Sequence, residues 1–280
     1  MRTSYVAHEP AHRKNPRAME TFPLYLLLGA AAGFLAGLMG IGGGLIIVPA
    51  LVFIFHAQGM AETLIMHMSL GTSLATIVLT AISSVRAHHR RGAVLWPVVR
   101  QLAPGIVAGA LAGATLVDEL PGAILKRIFG VFALMVALQM ALNAKPAPHR
   151  QLPGRTGMTV AGSIIGGISA IVGIGGGTLT VPFLTWCRVS IHNAVATSAA
   201  CGLPIALAGS VGFSITGWNE TNLPALSSGY LYWPAILSIT TVSVAFAPLG
   251  ARLAHALPAE LLKKIFAVIL ALIGLRMVVG

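Results

Sequence analysis

Two copies of one glycine-rich pentapeptide constrain this chain more than any other feature. Gly40-Ile41-Gly42-Gly43-Gly44 is followed by Val48-Pro49; 133 residues on, Gly173-Ile174-Gly175-Gly176-Gly177 is followed at the same distance by Val181-Pro182. Both lie in long apolar runs. Glycine inside a helix costs about 1 kcal/mol against alanine, and the proline beyond it removes a backbone donor, so each copy predicts a helix break. In a membrane, a break survives only where protein or a watery cavity satisfies the freed N–H and C=O groups.

Composition places these runs in a membrane. Of 280 residues, 56% are hydrophobic and 9% charged, where a soluble domain carries about 25% charged residues to dress its surface. The net charge of +11 is not a nucleic-acid footprint: aromatic interleaving is missing, and the basic residues cluster in connections, as membrane-loop anchoring requires. No nucleic-acid partner is expected; the lipid bilayer is.

The apolar runs predict an all-α polytopic membrane protein of about eight transmembrane helices. Phe22–Met39 makes the first span, roughly 27 Å long at the helical rise per residue, with a short arm over Leu45–Phe55 beyond the glycines. Leu64–Val85, Trp96–Val117 and Ile124–Leu142 follow. Met158–Trp186 contains the second break, and His192–Phe213, Trp233–Ala256 and Leu261–Val279 complete the set, with Thr216–Tyr230 a longer polar connection. Gly105, Gly109 and Gly113 recur every fourth residue, a face on which another helix can approach closely.

The chain repeats itself. At an offset of 133, residues 29–51 match at 10 of 23 positions, including Gly29/Gly162 and Gly33/Gly166. At 125, His67 meets His192 and Thr72-Ser73 meets Thr197-Ser198. At 137, residues 96–140 match at 17 of 45, with Trp96-Pro97 on Trp233-Pro234. Chance likeness between apolar stretches does not keep Gly, Pro, His and Trp in step. The expected organisation is a basic cytoplasmic tail (1–21), a first four-helix repeat (22–143), a linker (144–157) and a second four-helix repeat (158–280), each repeat opening on a broken helix. If every span crosses, Arg13, Lys14 and Arg17, then Arg86, Arg90 and Arg91, then Lys145, Arg150 and Arg155 share one side. That favours parallel repeats with cytoplasmic termini.

Paired breaks in matching halves are the sequence-level pointer to a transporter site. The acidic residues all lie in tails, loops or span ends, which disfavours a cation carrier or carboxylate-driven pump and favours a small anion. Such an anion can be held by backbone N–H groups at a helix N-terminus. The expected substrate-binding residues are Gly42, Gly43 and Gly44 with Thr72 and Ser73, and Gly175, Gly176 and Gly177 with Thr197 and Ser198. His67 and His192 are the proton-coupling candidates. No dinucleotide fingerprint, Walker lysine, zinc motif or Ser/His/Asp set occurs, so neither cofactor, metal site nor enzymatic activity is expected. Cys187 and Cys201 are read as buried, inert thiols.

These motifs have a family resemblance. Gly40–Gly44 with Val48-Pro49, Gly71-Thr72-Ser73, the basic loop into Gly92-Ala93-Val94-Leu95-Trp96, and Gly109 with Gly113 resemble the TauE/SafE family, also called the sulfite exporter or 4-toluene sulfonate uptake family. Gly173–Gly177 with Val181-Pro182 and Ala196-Thr197-Ser198 repeat the pattern. The resemblance spans roughly residues 22–280 and implies a bacterial inner-membrane permease for sulfite, sulfonates or related sulfur compounds. The chain departs from the pattern at Leu95, where a polar or acidic residue is expected, at Ala196, and in keeping Gly250 alone of the third-span glycines of the second half. The expected function is a secondary transporter exporting a small sulfur-containing anion; the rivals are a passive anion channel and a non-transporting membrane scaffold.

Overall fold

Helices carry nearly all of the residues that the computed structural model describes, 22–39, 43–142, 151–254 and 259–279. They are α1 (Phe22–Met39), α2 (Gly44–Ala57), α3 (Glu62–Arg90), α4 (Trp96–Glu119), α5 (Gly122–Ala141), α6 (Arg155–Val172), α7 (Gly177–Trp186), α8 (Ile191–Thr216), α9 (Trp233–Ala254) and α10 (Ala259–Val279). Between α8 and α9 lie a 3-10 turn (Gly217–Asn219) and a small antiparallel pair, β1 (Ser227–Ser228) with β2 (Leu231–Tyr232). Among the described residues, α3, α4, α5, α6 and the segment begun by α8 are long and apolar enough to cross a membrane. The fold is an all-α polytopic membrane protein. Its helix ends follow local chemistry: Pro97 and Pro234 fill the second position of α4 and α9, where an N–H has no partner within the helix.

Glycine faces bring the helix backbones together. A side chain at Gly105 would run into the carbonyl of Thr159, and one at Gly109 into that of Ser163, so the glycine face of α4 seats α6. From the other side, Gly162 and Gly166 abut the carbonyls of Leu102 and Ile106. The same seam forms between α1 and α9, where Gly29 and Gly33 abut the carbonyls of Ile239 and Ser243. The offsets of 133 and 137 carry one set of contacts onto the other residue by residue.

These contacts also fix helix directions. α4 runs parallel to α6, and α1 parallel to α9, because contact positions rise together along both chains. Gly71 meets Phe213 while Leu74 meets Gly209, so α3 and α8 are antiparallel; Gly130 abuts Gly274 and Leu134 through Ala141 face Ala271 through Lys264, so α5 and α10 are antiparallel too. Helices α1–α5 therefore run in the opposite sense to α6–α10, and the expected parallel arrangement is overturned. The physical reason lies at the glycines. They do not kink one long span; they reverse the chain. α2 packs antiparallel on α3, with Gly44 against Ile77 at one end and His56 beside Glu62 at the other. At the open end of the α1–α2 hairpin, Gln58 Nε2 donates to Tyr25 Oη at 2.8 Å.

Reversal sorts the charges. The C-terminal end of α3 (Arg86, Arg90) and the N-terminal ends of α4 (Arg100), α6 (Arg155) and α8 (with Arg188 just before it) share one end of the bundle. Glu62, Asp118, Glu119 and Glu220 lie at the other, together with Lys126 and Arg127 of α5 and Arg276 of α10. The tail, 1–21, lies outside the described residues, as do 143 and 144–150 of the expected linker, 144–157; α6 begins within that linker at Arg155, and α1 begins at the acidic end.

Candidate functional site

The second break is built by local backbone chemistry. Gly173 takes the left-handed conformation (φ +69°) at the end of α6, which a side chain would strain. It ends the helix in the usual glycine manner: its N–H reaches Ala170 O at 3.1 Å and the N–H of Ile174 reaches Ser169 O at 3.0 Å. Gly176 then opens α7, its carbonyl accepting from Thr180 N–H at 2.8 Å. In the first break, Gly43 opens α2 in the same way, accepting from Ile47 N–H at 2.9 Å. Gly40, Ile41 and the expected site residue Gly42 lie outside the described residues.

The two breaks touch. A Cβ placed on Gly44 would lie 2.9 Å from both Gly173 O and Ile174 Cα, so the hairpin tips meet backbone to backbone in the interior. Ile77 packs against both, facing Gly44 and Gly175. Ser73 Oγ donates to Gly173 O at 2.8 Å, tying α3 to the opposite tip, and the carbonyl of Ser198 borders Gly176. Gly44, Ser73, Gly175, Gly176 and Ser198 are thus gathered at one buried junction. Gly43 and Gly177 flank it, half-buried.

Thr72 and Thr197 have another task. Tyr232 N–H donates to Thr72 Oγ1 at 3.1 Å, and Leu95 N–H donates to Thr197 Oγ1 at 3.0 Å. Leu95 and Tyr232 immediately precede α4 and α9, so each threonine satisfies a backbone donor at a helix start. Both bonds cross between α1–α5 and α6–α10, and they are equivalents of one another under the offsets of 125 and 137.

The histidines differ sharply. His67 is buried, its Nδ1 2.9 Å from Thr63 O and its Nε2 3.0 Å from Val117 O. Both nitrogens face acceptors, so a neutral ring donates to one and only a protonated ring donates to both. The Tyr230 ring lies beside it at 5.1 Å and donates its hydroxyl to Asp118 Oδ1 at 2.8 Å. His192, by contrast, is exposed in the first turn of α8.

Sequence reasoning passed over Ser169 and Thr180, which flank the second break. Both are fully buried, and neither hydroxyl oxygen has a hydrogen-bond partner. The available signal was a mismatch: the offset of 133 sets them against Ala36 and Ile47. Among the described residues no cluster of His, Cys, Asp and Glu suits a metal, and no disulfide joins Cys187 to Cys201.

Comparison with known proteins decides the class. The family described as sulfite exporter TauE/SafE matches residues 25–277. The chain belongs to the TauE/SafE family. A probable membrane transporter protein of Haemophilus influenzae is 41% identical over 259 residues, covering 91% of this chain and 97% of the relative. Similar proteins named as probable membrane transporters occur in Methanocaldococcus jannaschii (27% identical; 91% of this chain, 94% of the relative) and, as YunE, in Bacillus subtilis (26%; 92% and 97%). No solved structure matches. As a TauE/SafE protein the chain is a membrane transporter, not an enzyme.

Proposed function

We propose that this transporter is a secondary carrier exporting a small sulfur-containing anion, such as sulfite or an organosulfonate, across a bacterial cytoplasmic membrane. Its substrate site lies where the two glycine tips meet, and its two repeats, 22–143 and 158–280, are inverted. The observation that carries this reading is the buried contact of Gly44 with Gly173 and Ile174: helix starts from both repeats converge there, away from lipid, with backbone N–H groups suited to an anion. The family description supports the substrate class.

Orientation follows from the sorted charges. The end with Arg86, Arg90, Arg155 and Arg188 faces the cytoplasm by the positive-inside bias, and the start of α1 then lies on the outer side. A basic inner mouth gathers anions, and a potential negative inside drives each exported charge by about 2.3 kcal/mol per 100 mV. Export needs no proton. Of the two histidines proposed for proton coupling, His67 is buried between two backbone carbonyls and His192 is exposed.

The test is radiolabelled sulfite flux in proteoliposomes with and without an imposed potential. Saturable flux that follows the potential and disappears in Gly176→Leu, with that variant still inserted and monodisperse, is the expected result. Wild-type flux in Gly176→Leu would remove the site from the tips.

A further inference from the structure

We infer that the two tips are not equivalent half-sites: the start of α7 is the one anion subsite, and the hydroxyls of Thr180 and Ser169 complete it. This rests on the proposed transport of a small oxyanion and says which groups hold it.

Hydrogen bonds to buried hydroxyls are unevenly satisfied in this bundle. A buried hydroxyl without a partner destabilises the fold that contains it, and natural structures contain few. Six hydroxyls among the described residues are buried without a partner, and of these Thr180 and Ser169, both 0% exposed, stand one on each side of a single helix break. Other hydroxyls of this bundle show how easily such groups are satisfied. Ser69 donates to Ile65 O at 2.6 Å and Thr185 to Val181 O at 3.0 Å, each through its own helix. Thr180, five residues before Thr185 on α7, makes no such bond. It is held unspent in a place where a valine would fit as well.

Position gives the hydroxyl its meaning. Thr180 Oγ1 lies 3.2 Å from where a Cβ on Gly176 would sit, at the start of α7. That ten-residue helix presents its first N–H groups, those of Gly177, Thr178 and Leu179, without intrahelical partners. Gly202 of α8 comes within 3.6 Å of Gly176 N, measured from its would-be Cβ, while Ile205 Cδ1 and the carbonyl of Ser198, also on α8, lie 3.1 and 3.2 Å from the would-be Cβ of Gly176. Partnerless N–H groups, the positive end of a helix and a free hydroxyl donor together describe a receptor for an oxyanion. At the other tip the same positions are Ile47 and Ala36. Ile47 is buried and its Cδ1 closes over Gly43, 3.0 Å from that glycine's would-be Cβ. The first tip offers no side-chain donor at either position; it packs.

The experiment uses the full-length protein and sulfite, reading flux in proteoliposomes and melting temperature with and without the anion. Thr180→Val should raise the half-saturating sulfite concentration by about tenfold, the loss of one hydrogen bond to a charged group. It should also lose the stabilisation by sulfite, yet melt no lower than wild type without it, because the orphan hydroxyl is gone. Thr180→Ser should stay near wild type, Ser169→Ala should add to the defect, and Ile47→Val should leave half-saturation unchanged. A Thr180→Val protein that saturates like wild type would overturn the inference while leaving transport standing. So would one that melts well below wild type without anion, with Thr180→Ala doing the same. A wild type that moves neither sulfite, thiosulfate nor toluenesulfonate would take the transport reading down together with this one.

Discussion

The bond from Leu95 to Thr197 and the bond from Tyr232 to Thr72 are one interaction made twice, at 3.0 and 3.1 Å. Positions 180 and 47, 169 and 36, and 67 and 192 are also equivalent by sequence offset, yet each pair differs in chemistry or surroundings. The difference teaches where the two sides of this molecule are interchangeable. The contacts that hold helices in place recur in step: the glycine seams of α1 on α9 and α6 on α4, and the two threonine ties. The unpartnered hydroxyls of Ser169 and Thr180 have no counterpart at 36 and 47, and the histidines at 67 and 192 recur in sequence but not in burial. A frame held in common carries different side chains on its two sides.

Substitutions in the frame should therefore behave alike on both sides, and substitutions outside it should not. The largest effect is expected from Gly33→Leu and Gly166→Leu, which drive a side chain into the carbonyls of Ser243 and Ile106. Overpacking against backbone costs about 1–3 kcal/mol or more, so both should abolish monodisperse protein in size-exclusion chromatography; survival of one alone would break the equivalence. Next comes His67→Leu, which takes away the ring held between the carbonyls of Thr63 and Val117 and the hydrogen bond it donates to one of them, and should cost about 1–3 kcal/mol. His192→Leu at the exposed position should stay within about 0.5 kcal/mol. Equal losses in thermal unfolding would show that the two sites are alike after all. Smallest are Thr72→Val and Thr197→Val, each removing one acceptor from a helix start, at about 1 kcal/mol apiece. Melting shifts of similar size sharpen the comparison; a large shift in transport from either, without a shift in melting, would return that threonine to the substrate.

Much of the frame was legible from residues alone. Expected spans begin and end within a few residues of the helices, and the spacing of Gly105, Gly109 and Gly113 announced a close neighbour, which is α6. Chain direction was not legible. Hydropathy reports which residues avoid water, and a glycine run reports that a helix stops; neither says whether the next helix continues or returns. That choice is made by Gly173 in its left-handed conformation and by the packing of α1 on α9, a contact between residues far apart in sequence. The basic residues misled for the same reason, since counting sides required knowing the number of crossings. At the junction, Thr72 and Ser73 looked interchangeable as hydroxyl donors. The fold aims one at a backbone N–H and the other at Gly173 O, and only the arrangement of neighbouring helices distinguishes them.

The seam between α1 and α9 has a consequence for how the protein is made. Gly29 waits for Ile239, a residue synthesised some 210 positions later by the difference of those numbers. At about 5–20 residues per second, the glycine face of α1 goes without its partner helix for roughly ten to forty seconds. Over that interval α2 through α8 emerge, and α6 finds α4 at once because its partner precedes it. Among the described helices, α1 is thus the first to be made and among the last to be seated, although α2 meets α3 soon after it. Until α9 arrives, the backbone contacts of Gly29 with Ile239 and of Gly33 with Ser243 do not exist, while those between α4 and α6 already do.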